Sequence, residues 1–360
     1  MRTSSAFFVL ALAGALSTFQ PAHACTGITL ASQDSTTIVA RTIEWGGSDL
    51  NSQYVIVPRG YTQQSYIPGG GKGMAFTARY GYVGFAVEQK DFVAEGVNEA
   101  GLSAGLFYFP NYGQYEAYDE RRKNSGIADL QLVSLILGEC ATLDEVKEKV
   151  EETHVIAIDP RASTVHWRFT DAEGKQLVLE IVGGKVNFYE NPLGVLTNSP
   201  GLEWQLTNLN NYVNLFPGSA PAQTLGSAKL ASFGAGSGFL GIPGDVTPPS
   251  RFVRAAFYQA TAPRQATAEK TVLQAFQILN NFDIPVGVEF EAGKIPADIP
   301  SATQWTSATD MKHRVIYFRT MYNSEIRSIR LSDIDFSKVA YQAVPLDEVK
   351  SQPIRALSIR

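Results

Sequence analysis

Strand-like and helix-like segments fall in blocks along this chain, and that order limits the folds open to it. Over residues 25–57, short runs of β-branched and aromatic residues sit between Gly, Asp and Asn punctuation: Thr29-Leu30, then 36–40, then 54–57 ahead of Pro58. Residues 75–86 and 91–109 continue the pattern. Apolar residues at helical spacing predict a helix over 127–137. Thr142-Leu143-Asp144-Glu145 is a capping-box pattern that opens a second helix, running to about Thr153. Segments 165–169 and 177–181, joined by Asp171-Ala172-Glu173-Gly174, read as a hairpin. Residues 232–249, rich in Gly, Ser and Pro, predict an ordered loop or a lid. Helices over 251–260 and 268–282 and closing strands over 315–318 and 326–331 follow. Strands, helices, strands, helices, strands is the order of an α+β layered architecture, not of a regular βαβ series. No segment has the composition of a domain linker, so 25–360 reads as one domain.

Residues 1–24 read as a secretory signal peptide. Arg2 supplies a positive start, 6–19 is an uncharged apolar run, and Ala22-His23-Ala24 is an A-x-A cleavage signal. The run is shorter than the roughly 20 residues of a membrane span, and no later run reaches that length. The expected product is a soluble, exported protein, periplasmic or secreted.

Cutting after Ala24 makes Cys25 the first residue. Such a cysteine is either the acylated anchor of a lipoprotein, the nucleophile of an enzyme that uses its own N-terminus, or a plain residue. The lipoprotein pattern wants Leu three residues before the cysteine and a small residue two before; Ala22 and His23 fit it poorly. In the enzyme alternative the thiol attacks and the α-amine takes its proton. An α-amine has an ordinary pKa of about 7.7–8.0, close to working pH.

Other signals fail. The formal net charge of −5 argues against broad binding to nucleic acid, which needs a Lys/Arg excess. Gly69-Gly70-Gly71-Lys72-Gly73 lacks the upstream Gly and the following Ser/Thr of a phosphate loop. His154, His166 and His313 match no zinc spacing, and nothing calls for a metal or a cofactor. Cys140 ends an apolar helical run and reads as a buried small hydrophobe. A Cys25–Cys140 disulfide would abolish the nucleophile role.

Four segments carry a resemblance: Cys25-Thr26-Gly27, Ala40-Arg41-Thr42-Ile43-Glu44-Trp45, Gly194-Val195-Leu196-Thr197-Asn198-Ser199-Pro200, and Gly244-Asp245-Val246-Thr247-Pro248-Pro249-Ser250-Arg251-Phe252. In that order the chain resembles the choloylglycine hydrolase and penicillin V acylase family, the linear amide C–N hydrolases with an N-terminal cysteine. The resemblance implies a four-layer αββα sandwich of the N-terminal nucleophile hydrolase type. It implies that Cys25 is the nucleophile, with Arg41 and Arg251 beside it and Asn198 as a side-chain donor of the oxyanion hole. Read without it, the arginines are ordinary ion-pair partners and Asn198 a turn residue. Two departures stand out. Glu44 occupies a position where the family has Asp, which orients the α-amine. Near 105–110 the chain has one extra residue, so Phe107 or Tyr108 supplies the second, backbone donor of the oxyanion hole; Tyr108 is the choice made here.

The aromatic stretch Tyr108, Phe109, Tyr112, Tyr115 and Tyr118 reads equally as an apolar wall for an acyl group or as core packing. The expected partner is a small N-acyl amide with an apolar acyl group: a conjugated bile salt ahead of penicillin V or an acyl homoserine lactone. The resemblance also suggests a homotetramer.

Overall fold

The computed structural model describes residues 23–158, 164–290, 293–296 and 299–359. The leader expected over 1–24 lies outside them apart from His23 and Ala24. Along the chain, the strands of the two large sheets are β1 (His23–Ala31), β2 (Thr37–Trp45), β3 (Gln53–Val57), β4 (Tyr82–Ala86), β5 (Val93–Asn98), β6 (Ser103–Tyr108), β7 (Val165–Thr170), β8 (Gln176–Val182), β9 (Lys185–Glu190), β10 (Thr303–Asp310), β11 (Val315–Thr320), β12 (Arg327–Arg330) and β13 (Gln342–Pro345). The order β1-β2-β10-β11-β12 makes one antiparallel sheet; β9-β8-β7-β6-β5-β4-β3-β13 makes the other.

Among the described residues, five α-helices complete the layers: α1 (Leu132–Glu139), α2 (Leu143–Glu151), α3 (Leu202–Asn208), α4 (Pro248–Thr261) and α5 (Ala268–Leu279). α1 packs on β5 and β6 of the larger sheet, α4 and α5 on β1 and β2 of the smaller, and β1 faces β6 across the interior. Helix, sheet, sheet, helix is the expected αββα sandwich. Strands covered on both faces are buried without alternation, as in β4, β5, β6 and β10.

Local signals set several boundaries. The capping box at Thr142 and Glu145 forms as the sequence predicts. The 165–181 hairpin closes with Asp171 Oδ1 accepting from the N–H groups of Glu173 and Lys175, and Gly174 at φ +84°. The helix expected from 127 starts only at Leu132. Gly126–Ala128 is instead a short strand parallel to His154–Ile156, and the Asp129 carboxylate accepts the Leu130 N–H in a turn. Ile127 and Leu130 stay buried, so the apolar spacing was real but strand pairing claimed its first turn. α4 begins three residues earlier than expected, its first turn accommodating Pro248 and Pro249. Of the segment 232–249, residues 232–245 belong to a longer, mostly exposed arm, roughly 213–245, that holds a small hairpin of Gln223–Leu225 with Ala228–Leu230, and Pro248 and Pro249 open α4.

Candidate active site

The site forms where the edge strand β1 meets three other segments. The register pairs Gly27 with Arg41 and Cys25 with Ile43, so Cys25 and Arg41 share the face turned toward the larger sheet. Gly27 lies between them because nothing larger fits: a Cβ there would come within 2.5 Å of Arg168 Nη1 and 2.9 Å of Phe107. Ala24 and Glu44 pair on the opposite face, toward the helices.

The outer edge of β1 is closed by the segment that carries Asn198. Gly27 and Leu196 exchange backbone bonds, N to O at 2.7 and 3.1 Å. One step further along the ladder the main chain gives way to a side chain: Cys25 N–H donates to Asn198 Oδ1 at 2.9 Å. Arg251, from α4, donates through Nη2 to the same oxygen at 2.6 Å and through Nη1 to Cys25 O and Thr26 Oγ1. Asn198 Nδ2 donates to Tyr108 O at 2.7 Å, which leaves its second N–H for another acceptor.

Tyr108 ends β6. Phe109 N–H donates to Thr164 O, and strand alternation turns the neighbouring Tyr108 N–H the other way, where it donates to the Cys25 sulfur. Phe107 instead presents its ring, with the Arg41 guanidinium 4.0 Å above the centroid. Of the two alternatives for a backbone donor, Tyr108 is the one aimed at Cys25.

Arg41 is wholly buried where β5 and β6 part. Its Nη1 donates to Leu106 O at 2.6 Å and meets Glu95 Oε2 at 3.3 Å; its Nη2 has no hydrogen-bond partner. Glu95 also faces Arg168 at 3.5 Å. One carboxylate shared by two guanidiniums leaves a positive remainder next to the thiol. Burial nevertheless dominates: it pushes the Cys25 thiol up, while Arg41, the Tyr108 N–H and Arg251 pull it down without offsetting that. With Ala24 joined to Cys25, the sulfur is held as a thiol.

Glu44 is equally buried. Thr303 Oγ1 is 3.4 Å from its Oε1, and its Oε2 has no hydrogen-bond partner. Burial pushes this carboxyl up to about 8, against the pull of Arg251. A carboxyl raised in the folded state from about 4.5 stabilises the fold below pH 4.5, and that contribution is lost as pH rises toward 8. The full-length chain is therefore expected to melt at lower temperature at pH 8 than at pH 5, and Glu44→Gln to flatten the difference. An equal pH slope in both proteins, measured by thermal unfolding, would contradict this.

All six residues singled out in the sequence thus converge on one place: Cys25, Arg41, Glu44, Tyr108, Asn198 and Arg251. Cys140 is remote from them, at the end of α1, and both cysteines are free, so the disulfide alternative is set aside. The aromatic stretch divides. Phe109 is buried against the His166 ring, the Tyr115 hydroxyl pairs with the Val165 backbone, and Tyr118 bonds Glu120 at the surface. Within this stretch, Tyr112 is both large and substantially exposed. Glu95, Arg168, His166 and Glu180 were not foreseen here; each is a charged or ionisable residue in a wholly buried strand, which strand patterning alone does not single out.

Two antiparallel sheets stacked between helices, with this cluster at the edge strand, define the N-terminal nucleophile hydrolase fold. The family model for linear amide C–N hydrolases of the choloylglycine hydrolase family matches residues 25–342, and the chain belongs to that family. It is a hydrolase of linear amide C–N bonds. It is 29% identical over 314 residues to a bile salt hydrolase/transferase of Clostridium perfringens, covering 86% of this chain and 92% of that one. It is 32% identical over 275 residues to a bile salt hydrolase/transferase of Lactiplantibacillus plantarum, covering 75% and 80%. A crystal structure of a variant conjugated bile acid hydrolase from Clostridium perfringens superposes with a TM-score of 0.79 at 27% identity, over 93% of this chain and all of that one. Penicillin V acylase from Agrobacterium tumefaciens shares the fold, with a TM-score of 0.71 at 23% identity over 91% and 95%.

Proposed function

We propose that the protein is an exported cysteine amidase, matured by removal of 1–24 from a single catalytic domain spanning 25–360. Cys25 Sγ attacks the amide carbonyl carbon, and its proton passes to the α-amine. The tetrahedral oxyanion is met by the Tyr108 N–H and the free N–H of Asn198. The C–N bond breaks as the α-amine protonates the leaving nitrogen, which leaves an acyl thioester. The same amine then takes a proton from water, which attacks the thioester and restores the thiol. Arg251 fixes Asn198 and the Cys25 carbonyl; Arg41 provides the buried positive charge.

The observation that carries this reading is the orphaned Oε2 of Glu44, a buried acceptor on the face where Ala24 pairs with it. Cutting after Ala24 replaces one peptide N–H with an amine bearing more donors, and a buried acceptor without a partner is costly until it finds one. Asn198 Oδ1 already holds the first of those N–H groups.

The substrate is an N-acyl amide with an apolar acyl part. Conjugated bile salts come first because the Clostridium perfringens and Lactiplantibacillus plantarum relatives bear that activity in their names; penicillin V or an acyl homoserine lactone is the alternative. Parallel turnover assays of the mature chain on glycine-conjugated bile salts, phenoxymethylpenicillin and an acyl homoserine lactone decide between them, and turnover of none would refute the amidase. Intact mass of the exported protein tests the maturation. A free chain starting at Cys25 fits, whereas a diacylglycerol increment would make Cys25 a lipid anchor.

The protein assembles as a homotetramer through the 213–245 arm. The arm exposes Val213, Phe216, Leu225, Leu230, Phe233 and Leu240 and carries only Lys229 and Asp245 as charges. Charge-depleted apolar surface is what an interface core requires. Shortening the hairpin at Gly226 with Leu225→Ser and Leu230→Ser should convert the assembly to smaller species in size-exclusion chromatography with light scattering. An unchanged mass would remove the arm from the interface.

A further inference from the structure

His166 lies in β7, opposite Phe107 of β6, and is wholly buried. Its ring stacks on Phe109, with centroids 4.2 Å apart and planes 8° from parallel. Its Nε2 is 3.0 Å from Thr197 O and its Nδ1 is 3.2 Å from Glu180 Oε1. A main-chain carbonyl only accepts, so Nε2 carries a proton. Nδ1 faces the Glu180 carboxyl group. Glu180, on β8, uses the same Oε1 to accept the Leu202 N–H at 2.8 Å, at the start of α3. The pair therefore grips both ends of the turn Thr197-Asn198-Ser199-Pro200-Gly201. Gly201 allows this close approach, since a Cβ there would come within 2.5 Å of Glu180 Oε2.

The same ring braces the other half of the site. Phe109, against which it stacks, directly follows Tyr108, and Thr197, which it bonds, directly precedes Asn198. Tyr108 N–H donates to the Cys25 sulfur and Asn198 Oδ1 accepts the Cys25 N–H, and Asn198 Nδ2 links the two residues through Tyr108 O. We infer that the His166–Glu180 pair is a positioning element that holds the Tyr108 and Asn198 donors in register with each other. This rests on the oxyanion role proposed above for those donors. His166 touches no reacting atom; it acts through its neighbours on both sides. A donor displaced by a fraction of an ångström loses much of its effect, since catalysis depends on preorganised geometry.

The test uses mature protein beginning at Cys25 and the N-acyl amide it turns over fastest. His166→Gln places an amide donor where Nε2 stands and keeps the Thr197 bond; His166→Asn places one near Nδ1 and loses it. His166→Asn should lower kcat about tenfold or more with KM changed by less than about twofold, whereas His166→Gln should recover most of the loss. The rate of Cys25 alkylation by iodoacetamide should fall far less than kcat in both, because the Tyr108 N–H is one of several groups acting on the sulfur and Arg41 and Arg251 are untouched. Each substitution is repeated in an Asn198→Ala background. If His166 acts through Asn198, the kcat penalty of His166→Asn shrinks severalfold there. An equal penalty in both backgrounds, or a loss of alkylation matching the loss of turnover, would overturn the inference and leave the oxyanion role standing. Full turnover in Asn198→Ala alone would instead overturn the oxyanion role, and the inference with it.

Discussion

Cys25→Ser in the mature chain is expected to fold normally and to lose turnover by a factor on the order of 10³ or more, as when a nucleophile is removed from a coupled catalytic unit. The fold should survive because the substitution replaces sulfur by a smaller oxygen in a buried place whose backbone bonds, from Cys25 N to Asn198 and from Arg251 to Cys25 O, remain. Turnover should not survive. Burial already raises the thiol, and only Arg41, the Tyr108 N–H and Arg251 counter it. A hydroxyl in the same place is far harder to ionise than a thiol, and the local charges, which do not offset burial even for sulfur, do less for oxygen. The measurement is kcat on the preferred amide alongside a thermal unfolding curve. A variant that unfolds at the parent temperature and still turns over within tenfold of the parent would end covalent catalysis by Cys25.

How much of this was legible beforehand follows from what each signal encodes. The capping box at Thr142 and the hairpin at Asp171 are local chemistry, and both appear where the residues place them. The start of the helix after Gly126 is not local: it depends on a strand pairing with His154–Ile156, nearly thirty residues away, so periodicity alone misplaced it. Cys25 was marked first by the A-x-A signal ahead of it and then by the family resemblance, which also supplied Arg41, Glu44, Asn198 and Arg251; Tyr108 came from a choice between two neighbours that strand alternation resolves. The residues behind them escaped notice for one reason. Glu95, Arg168, His166 and Glu180 stand in strands covered on both faces, where sequence patterning expects apolar side chains. An ionisable group in such a strand is costly unless it is paired, and each of these is. A charged residue inside an otherwise buried strand is the signal that would have found them.

Leaving Ala24 on the chain is expected to silence the enzyme almost as fully as removing the sulfur. The nitrogen of Cys25 would then be a peptide nitrogen, with no lone pair available to carry a proton, and general acid–base assistance of that kind contributes about 10²–10⁴ in rate. The geometry adds a second obstacle. Ala24 continues β1 opposite Glu44 and is buried among Ile284, Ala302 and Val246, so the chain itself occupies the space next to the nitrogen. Glu44 Oε2 would also stay orphaned, its carboxyl held up near 8 by burial instead of facing an amine. Two proteins differing by this one residue, each verified by intact mass, make the comparison. The form starting at Cys25 should hydrolyse its amide; the form starting at Ala24 should show turnover lower by about 10² or more while its thiol still accepts iodoacetamide. Equal rates would mean that the proton is carried by some other group, and the α-amine would lose its place in the mechanism even though Cys25 kept its own.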